Sequence, residues 1–384
     1  MRVRSTVRSH HQNVDGAVLA STEAESAGSG KAVSQRVHTP PREPGDQQYE
    51  HGQHRDRYAS RARLGPNRRR SWTRAALRLL VGHPFRLLVR CSAAGTSTRR
   101  ARLNRVTNIL LTGARGQLGT RIDALATSAG HTVTAVGSRE LDITDSRAVD
   151  DFVSPGSVLI NCAAYTAVDA AETDQEAARA VNEIGPRNLA QACARVGSRL
   201  IHVSTDYVFP GDASSPYDVD APTGPATVYG RTKLDGEIAV RESGADAAVV
   251  RTAWVYSGVG TDFVATMRRL EAEREFVNVV DDQIGSPTYS VDLAGGIVEL
   301  ALLDFTGAST FHVTNGGQAS WYELARAVFE EIGADPARVR PCSSAEFVRP
   351  APRPAYSVLS ERAWVTAGMT PLRPWREALH AALA

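Results

Sequence analysis

The chain has 384 residues, 42% of them hydrophobic, which is enough for two or three domains and a sizeable core. Its net charge of +2 conceals two unlike parts: residues 1–105 hold 21 basic and 7 acidic residues and the remainder holds 23 and 35, a +14 segment joined to a −12 body. The longest apolar stretch of the first part, "ALRLLVGHPFRLLVRC", is broken by Arg78, His83, Pro84 and Arg86, which excludes a membrane span or a signal core there.

Residues 1–105 carry no apolar periodicity and are rich in Arg, His, Gln, Ser and Gly, so they cannot offset the entropy of ordering and are expected to be disordered. Their charge alone would suit an RNA-binding or membrane-surface arm, but no aromatic-interleaved or zinc-spaced motif accompanies it, and an incidental extension is the expectation. Cys91, Cys162, Cys193 and Cys342 are scattered without framework or metal spacing, which points to a reducing, cytoplasmic setting and to no structural metal.

At residue 106 the character changes. "ILLTGARGQLGTRIDALATSAG" reads as a short strand, Ile109 to Thr112, a glycine turn, and a helix with Leu118, Ile122 and Leu125 on one face. In such a setting Gly113 gives the tight turn, Gly116 the close approach of backbone to a pyrophosphate, and Gly119 the packing of helix on strand. The spacing is GxxGxxG, and glycine triplets alone also mark ordinary loops. A second strand, Val133 to Val136, ends without the acid that would bind a ribose 2′-hydroxyl. Ser138 and Arg139 stand there instead, a pair suited to a 2′-phosphate, so NADPH is expected ahead of NADH. "SVLINCAAYTAVDAAETD", "AARAVNEIGPRNLAQACARVG" and "RLIHVSTDYVF" continue as strand, helix and strand. Strands alternating with helices predict an α/β fold, a doubly wound, Rossmann-like parallel sheet whose ligands sit at the carboxyl ends of the strands.

Ser204, Thr205 and Asp206 lie at such an end, and "YGRTK" follows on a predicted helix with Tyr229 and Lys233 on one face. A tyrosine that donates a proton near neutral pH is helped by an ammonium, which favours the phenolate; the same point charge can hold ribose hydroxyls, as a planar guanidinium does not. A Tyr and a Lys four apart are in themselves only an amphipathic helix. Here, though, the chain has two lysines against 42 arginines, and Lys233 is the only lysine after residue 31.

From about Thr107 to Ala384 the chain resembles the extended short-chain dehydrogenases/reductases, and within them the dTDP-4-dehydrorhamnose reductase family. The strings that carry the likeness are "ILLTGARGQLG", "INCAAYTAVDAAE", "VNEIGPRNLA", "STDYVF", "VYGRTKLDGE", "VRTAWVYS", "DDQIGSPTYSVDLA" and "RPAYSVL". The resemblance implies a catalytic Thr205, Tyr229 and Lys233, with Asp206 beside them. It also implies cofactor contacts from Gly113, Gln117, Leu118, Asp142, Ile143 and the Ala163, Ala164, Tyr165 loop, and a sugar pocket with Trp254, Gln283, Gly285, Ser286 and Thr288. The implied activity is NADPH-dependent reduction of the C4 ketone of dTDP-4-dehydro-L-rhamnose. The implied partners are the dTDP-sugar and a second copy of the chain as an open option, with neither membrane nor nucleic acid.

Two positions depart from the family pattern. Tyr356 stands where an asparagine is usual, and Arg121 where some members carry a glutamate linked to a Mg²⁺-bridged dimer, so no such bridge is expected. A nucleotide-sugar epimerase, a related deoxysugar 4-ketoreductase and a regulatory subunit like that of methionine adenosyltransferase remain alternatives. The expected organisation is an extension over 1–105, a NADP-binding domain over 106–250 to which 276–303 returns, and a mainly substrate-binding domain over 251–384.

Overall fold

The apolar runs of the body lack polar alternation, which suits strands covered on both faces. In the computed structural model, which describes residues 18–19 and 106–384, they form β1 (Asn108–Thr112), β2 (Thr132–Val136), β3 (Val158–Asn161), β4 (Arg199–Thr205) and β5 (Ala247–Thr252). A sixth strand, β6 (Ala308–His312), completes an all-parallel sheet of order β6-β5-β4-β3-β1-β2. The sequence assigned no strand to β6, because its short run is only partly buried and shows no clean period. The extension expected to be disordered lies outside the described residues apart from Val18–Leu19.

The order reverses between β1 and β3, so the chain leaves these neighbours in opposite directions and opens a crevice at their carboxyl ends. Side chains alternate across the sheet. Ile109, Leu111, Ile160, Ile201 and Val250 face one side, where helix α1 (Gln117–Ser128) brings Ile122. Leu110, Leu159, Leu200 and Val249 face the other with Leu189 and Cys193. Each fully buried Leu or Ile contributes about 1.5–3 kcal/mol, so this sandwich fixes the positions of the strand ends.

The helix expected through "AARAVNEIGPRNLAQACARVG" is interrupted. Gln175–Arg179 is α-helical, Ala180–Ile184 is a π-helical turn, and α2 (Gly185–Val196) resumes the α-helix. Pro186 has no N–H to return to the Asn182 carbonyl four residues back, so the ladder widens there.

Beyond the sheet, Val277–Val280 pairs in parallel with Val339–Cys342, and Val18–Leu19 adds antiparallel on its other side. Met267, Leu270, Val277, Val279 and Leu379 form a separate core with the helix Trp321–Glu331. That helix buries Leu324, Ala325, Val328 and Phe329 on one face and starts on a capping box between Ser320 and Glu323. The helix Ser290–Ala301 instead packs Leu293 and Ile297 against α1 and the sheet. Among the described residues no helix is long and apolar enough to cross a membrane.

Candidate active site

The glycine turn after β1 is built for close approach. Gly113 has φ +69°, and a Cβ there would lie 2.5 Å from Ala163 N; a Cβ on Gly119 would lie 2.3 Å from the Gly113 carbonyl oxygen. Neither position can hold a side chain without moving backbone. Gly116 caps α1 without a side-chain acceptor, so the first N–H groups of the helix face the turn, as a pyrophosphate site requires. The Gln117 side chain does not point into this turn: its Nε2 donates to Asp262 Oδ2 at 2.9 Å, and Leu118 packs on the core. Both residues can therefore reach a phosphate only through their backbone.

At the end of β2, Ser138 and Arg139 are exposed. Arg115, which sequence reasoning passed over, joins them. Its stem lies against Gly137, where a Cβ would meet its Cγ at 2.8 Å, and its guanidinium is 3.3 Å from Glu140 Oε1. The Gly137 N–H and Arg115 hold the Glu140 carboxyl below its usual range. Asp142 accepts from its own turn, at Thr144 N and Oγ1, and Ile143 is buried against Gly185.

The π-turn explains a second unanticipated residue. Asn182, fully buried, accepts from Tyr165 N at 2.8 Å and donates to Tyr165 O at 3.0 Å, clamping the Ala163, Ala164, Tyr165 loop by its own backbone. It also donates to Thr232 Oγ1 at 3.2 Å, on α3 (Val228–Glu242). Gly236 of that helix sits on the Asn182 carbonyl, 2.1 Å from where its Cβ would be.

Helix α3 carries the Tyr–Lys pair. Thr227 caps it, its hydroxyl accepting from Gly230 N at 3.0 Å. Gly230 lets the first turn lie on the Tyr207 carbonyl, with 2.2 Å to a hypothetical Cβ, and the Tyr207 and Tyr229 rings meet edge to face at 5.5 Å. The helix start is thereby docked on the end of β4, where Thr205 Oγ1 donates to Asp206 Oδ1 at 2.9 Å. Lys233 is 2% exposed, and its Nζ donates to the Val203 carbonyl at 2.7 Å. Burial pulls its pKa down to about 8, against the opposing pull of the Glu237 carboxylate. The helix turn that carries Tyr229 and the Lys233 ammonium thus pack against the strand end that carries Thr205.

Trp254 follows β5 with φ +48°, a left-handed conformation that an aromatic residue adopts only when its surroundings impose it. Its ring stacks on Trp321 at 3.6 Å, and its face covers Gly285, where a Cβ would lie 2.4 Å from Cε2. Ser286 and Thr288 are fully buried, with the Ser286 hydroxyl accepting from Leu359 N and Thr288 Oγ1 donating to the Ser286 carbonyl. The Thr288 N–H donates to the Trp254 carbonyl, so this segment braces the tryptophan. Gln283 Nε2 donates to Ser344 Oγ at 2.8 Å.

A family model described as the RmlD substrate binding domain matches residues 107–384. The chain is 54% identical over 293 residues to the dTDP-4-dehydrorhamnose reductase of Mycolicibacterium smegmatis, covering 76% of this chain and 89% of that one. It is 55% identical over 281 residues to the reductase of the same name from Mycobacterium tuberculosis, covering 72% and 92%. The chain belongs to the dTDP-4-dehydrorhamnose reductase family. Among solved structures, the dTDP-4-dehydrorhamnose reductase of Bacillus anthracis in complex with NADP superimposes with a TM-score of 0.68 at 37% identity, over 72% of this chain and 98% of that one.

Tyr356, where the resemblance led to the expectation of an asparagine, is held by its main chain. Its N–H donates to the Gly211 carbonyl at 2.9 Å and the next residue's N–H to the Ile284 carbonyl at 2.8 Å, while the phenol donates to Gln318 Oε1 at 3.1 Å.

Proposed function

We propose that the chain is an oxidoreductase that reduces the C4 ketone of dTDP-4-dehydro-L-rhamnose to dTDP-L-rhamnose with NADPH, using Thr205, Tyr229 and Lys233. The observation that carries this assignment of residues is the burial of Lys233 on the Val203 carbonyl, beneath the strand end that holds Thr205 and against the helix turn that holds Tyr229.

The glycine turn fits a dinucleotide: two positions exclude any side chain and a helix N-terminus faces the space. Gly113, Gly116 and Gly119 with the backbone of Gln117 and Leu118 would hold the pyrophosphate, and Ser138 and Arg139, joined by Arg115, the 2′-phosphate. Asp142, Ile143 and the Ala163, Ala164, Tyr165 loop would border the remainder. When bound, the reduced nicotinamide supplies the hydride. Thr205 donates a hydrogen bond to the ketone oxygen, Tyr229 gives its proton to the alkoxide as charge develops there, and Lys233 stabilises the tyrosinate. In the structure the Thr205 hydroxyl gives its one proton to Asp206, so it turns from that carboxylate to donate to the ketone oxygen. Trp254, held by Trp321 and Gly285, would wall the sugar pocket beside Gln283, while Ser286 and Thr288, fully buried with both hydroxyls bonded to main chain, brace that wall and do not touch the sugar. The reaction suits the reducing, cytoplasmic setting expected from the cysteines.

The test is NADPH consumption by the full chain and by residues 106–384 with dTDP-4-dehydro-L-rhamnose generated in situ. Turnover by both is expected. No turnover with NADPH or NADH would overturn the substrate assignment, and NAD retained through purification would turn attention to an epimerase.

A Gly285→Ala substitution probes the wall. Its methyl would displace the Trp254 indole, and overpacking of this kind costs about 1–3 kcal/mol. KM for the sugar nucleotide is expected to rise about tenfold with KM for NADPH unchanged, tenfold corresponding to ~1.4 kcal/mol. Equal changes in both KM values would place Trp254 outside the sugar pocket.

A further inference from the structure

A buried polar chain runs across three neighbouring strands and ends on Lys233. Thr112 closes β1, Asn161 closes β3 and His202 lies within β4; none is more than 1% exposed. Thr112 Oγ1 donates to Asn161 Oδ1 at 2.7 Å, and Ala163 N donates to the same oxygen at 3.0 Å. Two donors on that atom identify it as the amide oxygen, so the amide nitrogen is the atom 3.0 Å from His202 Nδ1. An amide nitrogen only donates, which makes Nδ1 the bare acceptor of the ring. Burial, and then the charge of Lys233, keep His202 neutral by holding its pKa well below the usual value. Its single proton therefore sits on Nε2, and Nε2 lies 3.5 Å from Lys233 Nζ. An N–H aimed at an ammonium meets no lone pair; aimed at an amine it does.

We propose that Thr112, Asn161 and His202 are positioning residues that lock one histidine tautomer against Lys233, and that the N–H so presented favours the amine form of the lysine, making it a proton donor to the site as well as a charge. The consequence for turnover rests on the proposed reaction; the tautomer and the lysine's proton affinity do not. When Lys233 releases its proton, an N–H bond breaks, the freed lone pair accepts from His202 Nε2, and the proton restores the O–H bond of the Tyr229 tyrosinate.

The other groups facing Lys233 act in known directions. The Cys162 thiol, from the loop after β3, is pushed up to about 12 by burial and stays neutral. Glu237, one turn further along α3, raises the lysine's proton affinity, but its carboxylate is already engaged by Arg251, Arg241 and Ser204. Tyr229 lies one turn back. The Val203 carbonyl can accept from either form of the lysine.

The chain's two lysines make this directly measurable. Selective ¹⁵N-lysine labelling of the full chain gives two side-chain signals, and Lys31→Arg assigns them. The Lys233 signal is expected to titrate well below the ordinary lysine value of ~10.4, and ¹⁵N-histidine labelling to show His202 protonated on Nε2. A proton on Nδ1, or Lys233 titrating at the ordinary value, overturns the proposal on the unaltered protein. Asn161→Asp keeps both acceptor contacts on one oxygen but offers Nδ1 no donor, so the tautomer is expected to flip and expose the Nε2 lone pair to Lys233. Lys233 should then titrate at least about one pH unit higher, and the basic limb of the pH–rate profile should move with it. A shifted lysine with an unflipped histidine would mean that the added charge acts alone, and would overturn the role given to the tautomer. Inactivity on the sugar nucleotide with both ¹⁵N results as expected would instead count against the proposed reaction.

Discussion

Replacing Lys233 by arginine is expected to lower ketone reduction by at least ~100-fold, the lower range for removing an acid–base contribution. A conservative exchange has this effect because the site is closed. Lys233 is 2% exposed, its Nζ is held by the Val203 carbonyl, and His202 stands 3.5 Å away. A guanidinium is wider and planar, stays protonated at any working pH, and cannot give up a proton to a tyrosinate. Steady-state turnover of Lys233→Arg, with circular dichroism to correct for the folded fraction, checks this. Turnover within tenfold of the unaltered protein would remove Lys233 from the proton path.

The second large effect falls on stability. Glu237→Ala is expected to destabilise the protein by about 3–5 kcal/mol, the cost of leaving one partner of a buried ion pair uncompensated. Glu237 is fully buried and accepts from Arg251 Nε at 2.9 Å and Nη2 at 2.7 Å, from Ser204 Oγ at 2.6 Å and from Arg241 Nη1 at 2.9 Å. Without the carboxylate, the Arg251 guanidinium, 2% exposed, keeps only the Val219 carbonyl and the His312 ring as near polar partners and the Phe209 face as an aromatic one. Urea denaturation should show a lower midpoint at an unchanged slope. Burial alone would push the Glu237 carboxyl up, but Arg251 and Ser204 bring it below its usual range. Its folded pKa is depressed, so its contribution is full above the unfolded value of about 4.3 and is lost as pH falls through the lower folded value. A loss of less than 1 kcal/mol would mean that water or a neighbouring carboxylate replaces Glu237.

The parts of the site that lie close together in sequence were legible from it. The glycine turn announces itself because Gly113 and Gly119 must lack side chains, and the Tyr229–Lys233 pair because a helix brings residues four apart onto one face. Groups meeting from distant strands were not. Thr112, Asn161 and His202 each look like an ordinary polar residue in an apolar run, and only the pairing order β1-β3-β4 makes them a chain. Asn182 was hidden in the same way: Pro186 marks a disturbance in the helix, but that Asn182 clamps the Tyr165 backbone follows from tertiary contact. Trp321 opens a core helix, while its stack on Trp254 depends on the strained turn after β5. Arg115 sat in the quoted glycine string, and its contact with Gly137 and Glu140 comes from the pairing of β1 with β2.

The late position of β6 in the chain bears on biosynthesis. β5 carries Arg251 and leads directly into Trp254, yet its outer neighbour is Ala308–His312, and residues 253–307 are translated between them. A ribosome-bound chain therefore presents β5 as an open edge, able to pair with other chains, until β6 emerges. Nascent chains stalled before residue 308 would be the aggregation-prone species, and the sheet that frames the site matures only after most of the C-terminal half has left the exit tunnel.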